Sequence, residues 1–271
     1  MDDQLPLISV LLPTRGRTDT LRRSVQSLLN HALKPEQVEF LLAFDNDDTE
    51  SVEWFQNNIA DQIDQAESVY TCYSYEPLGY IRLNAYVNSL AERATGRWLL
   101  FWNDDAVMQT VGWDQEIAQH NEFAVLRMPA HNEHPYAIFP VVPQEWVDVC
   151  GYVSAHQLTD AWVSQIAYLL DIMINIPVKV LHDRYDLTGN NEDSTYQKRS
   201  VLEGNIDAPG DFNHVDQRRA RFNDAKKIAN FLRENGQDTS WFDRVLEGKQ
   251  NPWVKMIDPK YDPNQQLSRL Q

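Results

Sequence analysis

Apolar positions along the chain alternate between short continuous runs and helical spacing. Leu7–Leu12 ("LISVLL") is a partly β-branched apolar run stopped by Pro13, which predicts a buried first strand. Leu21, Val25, Leu28, Leu29 and Ala32 then recur at helical spacing, with Thr18 suited to cap that helix. Val38–Phe44 ("VEFLLAF") predicts a second buried strand ending at "DNDD", Asp45–Asp48. A helix follows from about Ser51, and Ser68–Tyr75 forms a third strand. Tyr80, Leu83, Val87, Leu90, Ala91 and Ala94 mark another helix, and "RWLLFW" (Arg97–Trp102) a fourth strand. This alternation predicts a parallel sheet with crossover helices, a doubly wound α/β domain. Ligands of such sheets sit beyond the carboxyl ends of the strands. The polar clusters "TRGR", "DNDD" and "NDD" (Asn103–Asp105) all fall there.

Beyond Asp105, "FAVLRM" and "AIFPVV" read as strands and Pro143–Val149 as a short helix. A helix after Asp160 carries Trp162, Ile166, Leu169, Leu170 and Met173 on one face, and Ile176–His182 reads as the last strand. Asp183–Gly210 is polar and turn-rich and predicts a long loop. Asp211–Glu234 shows helical spacing and ends at Asn235–Gly236, and the Pro-rich tail starts at Asn251. The expected organisation is therefore one α/β domain over residues 1–185, followed by a flexible loop and helical extension over 186–271 packed on the same domain.

Composition narrows the classes. At 271 residues and 42% hydrophobic, the chain can bury a substantial core and is not disordered. No run approaches the roughly 18 apolar residues of a membrane span, and the acidic start "MDDQLPLISV" does not read as a secretory signal. Cys72 and Cys150 are too few for a disulfide framework, so a reducing, cytoplasmic setting is expected. A net charge of −16 disfavours a nucleic-acid backbone as the main partner. It leaves room for anionic substrates, because a dication held by carboxylates reverses the local field.

"NDD" is the sharpest candidate. Carboxylate oxygens are the hard ligands that Mg²⁺ and Mn²⁺ favour, and Mg²⁺ commonly takes one or two of them plus substrate phosphates. The alternative is a plain turn or helix cap at Asp104 and Asp105.

"ISVLLPTRGRTDTLRRSVQSL", "LLAFDNDD" and "LGYIRLNAYVNSLAERATGRWLLFWNDDA", taken in order, resemble the family-two nucleotide-sugar glycosyltransferases of GT-A fold. The likeness covers roughly residues 5–183. It implies a Rossmann-like, mostly parallel central sheet flanked by helices, with a nucleotide-sugar half over about 1–108 and an acceptor half over about 109–185. It also implies an Mn²⁺ or Mg²⁺ cofactor and a UDP- or GDP-sugar donor. Pro13, Thr14 and Arg15 would line the nucleotide pocket and Asp45 would hydrogen-bond the base. "DNDD" departs from the family's usual Asp-Asp-Gly-Ser, which leaves Asp45, Asp47 and Asp48 as competing readers; a solvated turn is the alternative for Asp47 and Asp48.

The resemblance further implies that Gly79 permits close backbone approach, with Arg82 and Asn84 facing the nucleotide. For Arg82 the competing reading is an exposed helix charge. Asp105 would ligate the metal, Asn103 stands where the family places an Asp, and Asp104 would contact the ribose or reach the metal through water. Asp160 would be the base that takes the acceptor proton, against a role as helix cap shared with Thr159. His182 would be a further metal ligand rather than a structural imidazole.

His131 and His134 sit among prolines and read as a substrate-side loop. Trp98, Trp102 and Trp113 read as core, with Trp113 also able to stack on a sugar. "DQRRARFNDAKK", Asp216–Lys227, reads as the wet face of a helix and as the one basic cluster where an anionic acceptor would dock. The expected activity is metal-dependent, inverting glycosyl transfer to a hydroxyl of a saccharide, protein, small molecule or modified nucleic-acid base. A sugar-phosphate nucleotidyltransferase and a non-catalytic binding module are the competing classes.

Overall fold

The computed structural model describes residues 7–129, 134–183 and 210–255. The seven-stranded sheet has the order β3 (Val69–Tyr75), β2 (Val38–Asp45), β1 (Ile8–Pro13), β4 (Trp98–Phe101), β7 (Val141–Pro143), β6 (Val125–Arg127), β8 (Met173–Asn175). Its first half is built from β1 (Ile8–Pro13), β2 (Val38–Asp45), β3 (Val69–Tyr75) and β4 (Trp98–Phe101), all mutually parallel. β1 and β2 are almost wholly buried, as their continuous apolar runs require when helices cover both faces. The chain runs outward from β1 through β2 to β3 and then returns to β4 on the other side of β1. The topological switch point therefore lies between β1 and β4.

The second half of the sheet is mixed. β7 (Val141–Pro143) lies antiparallel to β4 and to β6 (Val125–Arg127), while β8 (Met173–Asn175) runs parallel to β6. Separately, β5 (Ala106–Met108) and β9 (Val180–His182) form an antiparallel ribbon in which Ala106 faces His182. The last predicted strand thus shrinks to three residues and leaves the main sheet. "AIFPVV" contributes only its end, since Pro140 lacks the N–H a ladder needs. β5 and β8, at three residues each, are too short to show a period.

One side of the sheet carries α1 (Thr18–His31), α2 (Thr49–Asn58), α3 (Ala60–Gln65) and α5 (Trp113–Ala118), packed with the fully buried Trp98, Trp102 and Trp113. The other carries α4 (Leu83–Ala91), α6 (Glu145–Cys150), α7 (Thr159–Leu170), α8 (Val215–Glu234) and α9 (Ser240–Leu246). α8 and α9 add Ala225, Ile228, Leu232 and Phe242 to the same core as Trp162 and Ile166. Thr18 is the first helical residue rather than the cap; Arg17 holds the N-cap position without a side-chain cap bond. Tyr80–Arg82 forms a 3₁₀ turn ahead of α4.

The charged stretch Asp216–Lys227 is not simply a wet face. Arg221 and Asp224 are 2% and 1% exposed. The Arg221 guanidinium lies 3.9 Å from the Phe212 ring centroid and donates to the Phe212 carbonyl at 2.9 Å. Asp224 accepts from Tyr152 Oη at 3.0 Å and Lys227 Nζ at 3.3 Å. A buried charge is tolerable only with such partners, and turning Arg221 inward removes it from any docking surface. His131, residues 184–209 of the loop predicted over Asp183–Gly210 and the tail beyond Lys255 lie outside the described residues.

At the amino edge of the sheet, buried Glu39 accepts hydrogen bonds from Ser9 Oγ and from the backbone N–H groups of Thr95 (2.7 Å) and Gly96 (3.2 Å). This ties β1, β2 and the entry to β4 together. A Cβ at Gly96 would sit 2.5 Å from Ser9 Oγ and 2.7 Å from Ser9 N, closer than real side chains approach. Gly96→Ala is expected to lower unfolding free energy by about 1–3 kcal/mol, the usual overpacking cost. Urea denaturation checks this, and wild-type stability would show that the β1–β4 approach is looser than described.

Candidate active site

The carboxyl ends of β1 to β4 lie on one edge, so the segments leaving them meet there. From β1 come Pro13, Thr14, Arg15 and Arg17; from β2, Asp45–Asp48; from β3, the turn to α4; from β4, Asn103–Asp105. α1 holds the β4 segment through two buried hydroxyls. Ser24 Oγ accepts from Trp102 Nε1 at 2.7 Å and donates to the Asn103 carbonyl at 3.1 Å, while Ser27 Oγ accepts from Met108 N at 2.8 Å. The adjacent carboxylates end up in different surroundings.

Asp104 is 2% exposed. Its Oδ2 accepts from Thr14 Oγ1 at 2.8 Å, a bond across the switch point, and its Oδ1 lies 3.3 Å from Arg17 Nη2. Asp105 lies 3.6 Å from Arg17 Nη1 through Oδ2. Its Oδ1 is 3.3 Å from His182 Nε2 without a hydrogen bond between them, and among the described residues that buried oxygen has no hydrogen-bond partner. Burial pushes the Asp105 carboxyl up, but His182 and then Arg17 outweigh it and hold it below the usual carboxylate range. The ribbon sets this encounter: Asp183 N donates to the Asp105 carbonyl at 2.9 Å, and the Ala106–His182 register brings the imidazole to Asp105. A one-residue slip would turn His182 to the other face.

Asn103 is exposed, with its side-chain amide nitrogen 3.5 Å from His182 Nε2. Among the described residues no three His, Cys, Asp or Glu side chains cluster as a metal cage. What converges is one carboxylate oxygen without a partner, one imidazole and one amide. That set fits a hard dication completing its sphere with substrate oxygens and water. Asp105 and His182 would hold it.

A cleft at this edge is lined by Pro13, Arg17, Asn103, Asp104, Asp105 and His182 on one side and by Gln157, Leu158, Thr159 and Asp160 on the other. Its apolar wall includes Tyr80, Leu83, Val87, Ile138 and Pro140. Asp160 sits in the first turn of α7, whose N-cap is Leu158 with no side-chain cap bond, so Asp160 is not consumed in capping. Thr159 Oγ1 is buried without a hydrogen-bond partner among the described residues.

Other predicted residues gather at the β2 rim. Asp45 accepts from the Tyr86 hydroxyl and, at 2.6 Å, from Arg15 Nη1. Arg15 also grips Asp47, at 2.9 Å through Nη2, and Asp47 and Asp45 in that order raise the guanidinium's pKa. Burial and the Asp45 carboxylate push the Tyr86 hydroxyl up to about 12, so it stays a donor. Gly79 adopts φ +69°, open to glycine at little cost, and starts the turn before α4. Arg82 is exposed and does not line the cleft, and Asn84 donates to the Ser154 carbonyl at 3.4 Å. The cleft wall is made instead by Tyr80, Leu83 and Val87, residues whose helical spacing signalled only a packed face.

Arg17 and Tyr86 were absent from the sequence-based candidate set. Arg17 lies inside "TRGR", so its signal is present there without an assigned role; Tyr86 falls outside the apolar positions that mark the helix and gives no signal in the sequence.

No protein-family model matches the sequence, and no curated protein matches it significantly. Solved structures do. The mannosyltransferase PcManGT from Pyrobaculum calidifontis, in complex with GDP-Man and Mn²⁺, superposes with a TM-score of 0.51 at 11% identity, over 99% of this chain and 84% of that one. S. aureus TarS is similar at a TM-score of 0.48 and 13% identity over 84% of this chain, which spans 49% of TarS. At such identities the likeness establishes the fold: this is a GT-A-like α/β protein, with the mostly parallel sheet and flanking helices of the GT-A glycosyltransferases.

Thr14→Val removes the hydroxyl that crosses from β1 to Asp104 while keeping its shape. A hydrogen bond to a buried charge implies a loss of about 1.5–3 kcal/mol in unfolding free energy, measured by chemical denaturation.

Proposed function

We propose that this chain is a metal-dependent glycosyltransferase that moves a sugar from a nucleoside-diphosphate donor to an acceptor hydroxyl with inversion. The observation that carries the reading is Asp105, a half-buried carboxylate beside His182 whose buried Oδ1 has no hydrogen-bond partner among the described residues, at the switch point of a GT-A-like sheet. The complex of PcManGT with GDP-Man and Mn²⁺ supports a nucleotide-sugar donor and a dication.

In this reading the base sits against Asp45 and Tyr86. Arg15, whose side chain is 51% exposed, is the partner that gives way to it. A bound dication, Mn²⁺ or Mg²⁺, supplies electrostatic stabilisation of the departing diphosphate. Asp105 and His182 would hold that ion, and Asn103 would offer a neutral amide beside them. The apolar wall of Tyr80, Leu83 and Val87 keeps water from the anomeric carbon. Asp160 faces the donor from the α7 side of the cleft. There its carboxylate takes the acceptor proton as the hydroxyl oxygen bonds to the anomeric carbon and the bond to the diphosphate oxygen breaks. The acceptor is a saccharide, protein, small molecule or modified nucleic-acid base. The described residues contain no helix long and apolar enough to cross a membrane. We keep the cytoplasmic setting as part of the proposal, with which the free thiols of Cys72 and Cys150 are compatible.

Asp105→Ala is expected to abolish Mn²⁺-dependent binding of UDP or GDP in calorimetry and transfer in the same stroke. Unchanged metal-dependent nucleotide affinity in that variant rejects the assignment. Asp160→Asn is expected to keep nucleotide affinity while kcat falls about 10²–10⁴-fold, as for loss of a general base. The released product separates the classes: nucleoside diphosphate for glycosyl transfer, pyrophosphate for nucleotidyl transfer.

A further inference from the structure

The Arg17 guanidinium stands where a dication and its diphosphate would meet. It spans both adjacent carboxylates, 3.3 Å from Asp104 Oδ1 and 3.6 Å from Asp105 Oδ2, and lines the cleft. The three groups are not equally free to move. Asp104 is 2% exposed and held by Thr14, whereas the Arg17 side chain is 33% exposed. The backbone of Arg17 is anchored, its carbonyl accepting from Leu21 N at 2.9 Å and Thr20 Oγ1 at 3.0 Å at the start of α1. A fixed root with a long, partly exposed side chain is built to swing rather than to leave.

We propose that Arg17 is a displaceable counter-ion: it neutralises Asp104 and Asp105 in the unloaded protein, and a dication with a nucleoside diphosphate draws it onto the diphosphate. The proposal rests on the donor reading given above. A guanidinium near Asp105 repels a dication seeking the same carboxylate, so the metal alone binds against Arg17. An added diphosphate brings several negative charges and oxygens that match the planar guanidinium fork. Both cations then share one anion instead of contesting one carboxylate. Asp104 is not stranded when Arg17 turns, since it keeps the Thr14 hydroxyl. The N-terminal N–H groups of α1, to which the N-cap side chain makes no bond, lie at the root of the same residue and favour the same anion. Arg17 thereby makes metal and nucleotide binding mutually reinforcing, and the reinforcement must be reciprocal.

The test is binding, with activity left aside. Mn²⁺ is titrated alone into wild type, Arg17→Ala, Arg17→Gln and Arg17→Lys and followed by water-proton relaxation; UDP and GDP are then titrated at saturating Mn²⁺ by calorimetry. Arg17→Ala and Arg17→Gln are expected to bind Mn²⁺ alone about tenfold more tightly and the nucleotide about tenfold more weakly, opposite changes within the usual range of site coupling. Arg17→Lys keeps the charge but not the fork, so its Mn²⁺ affinity stays near wild type while nucleotide affinity falls. A merely structural arginine would weaken both ligands together. That outcome, or unchanged Mn²⁺ affinity in variants with a wild-type thermal midpoint, overturns the proposal. If Mn²⁺ tightens as expected but no protein, wild type included, binds UDP or GDP, the counter-ion role stands and the donor reading fails instead.

Discussion

The parallel pairing of β1 with β4 across the switch point is the constraint on which the rest depends. With Leu11 opposite Phe101, the two strands release Thr14 and Asp104 side by side at the carboxyl edge. Asp104 is then almost wholly buried, and a carboxylate in that position must be met by donors or it destabilises the fold. Thr14 and Arg17 meet it. The loop after β1 is thus shaped by an electrostatic demand made ninety residues later in the chain. α1 reinforces the same arrangement from below through Ser24 and Ser27.

That arrangement divides the work between neighbouring acids. Asp104 is satisfied by the protein itself and acts as a strut. Asp105, one residue on, is held by the β5–β9 ribbon against His182 with an oxygen left over. One short turn therefore contains a structural carboxylate and an available one. In the proposed reading a dication would take its charge from Asp105, with the neutral Asn103 beside it, His182 as neighbour and Arg17 as rival. Such a site would be open and light in ligands, as the proposal of a metal arriving with its substrate requires.

Much of this was legible in the sequence, for identifiable reasons. Strands buried on both faces need continuous apolar runs, so β1, β2 and β4 announced themselves in "LISVLL", "VEFLLAF" and "RWLLFW", and the polar clusters at their ends marked the edge where the cleft lies. Asp105, Asp160 and His182 were named as candidates, and all three line one cleft. Residue-by-residue placement was less legible around α4. Arg82 and Asn84 were attractive by chemistry, yet the 3₁₀ turn at Tyr80–Arg82 rotates the helix entry so that Tyr80 and Leu83 reach the cleft. Arg221 was read as solvated because charge runs usually are, whereas stacking on Phe212 and a carbonyl partner carry it inside.

The sequence by itself determined the α/β class, the parallel first half of the sheet and the edge at which its polar clusters gather. Those features follow from local periodicity and from the short list of ways in which strands and helices can cover one another. Only the tertiary structure decided which acid is spent and which is free. That choice depends on contacts between segments far apart in the chain: Thr14 with Asp104, Arg17 with both acids, and Asp105 with His182 through a three-residue ribbon. A carboxylate's role is set by the donors that surround it, and no window of sequence around "NDD" contains them.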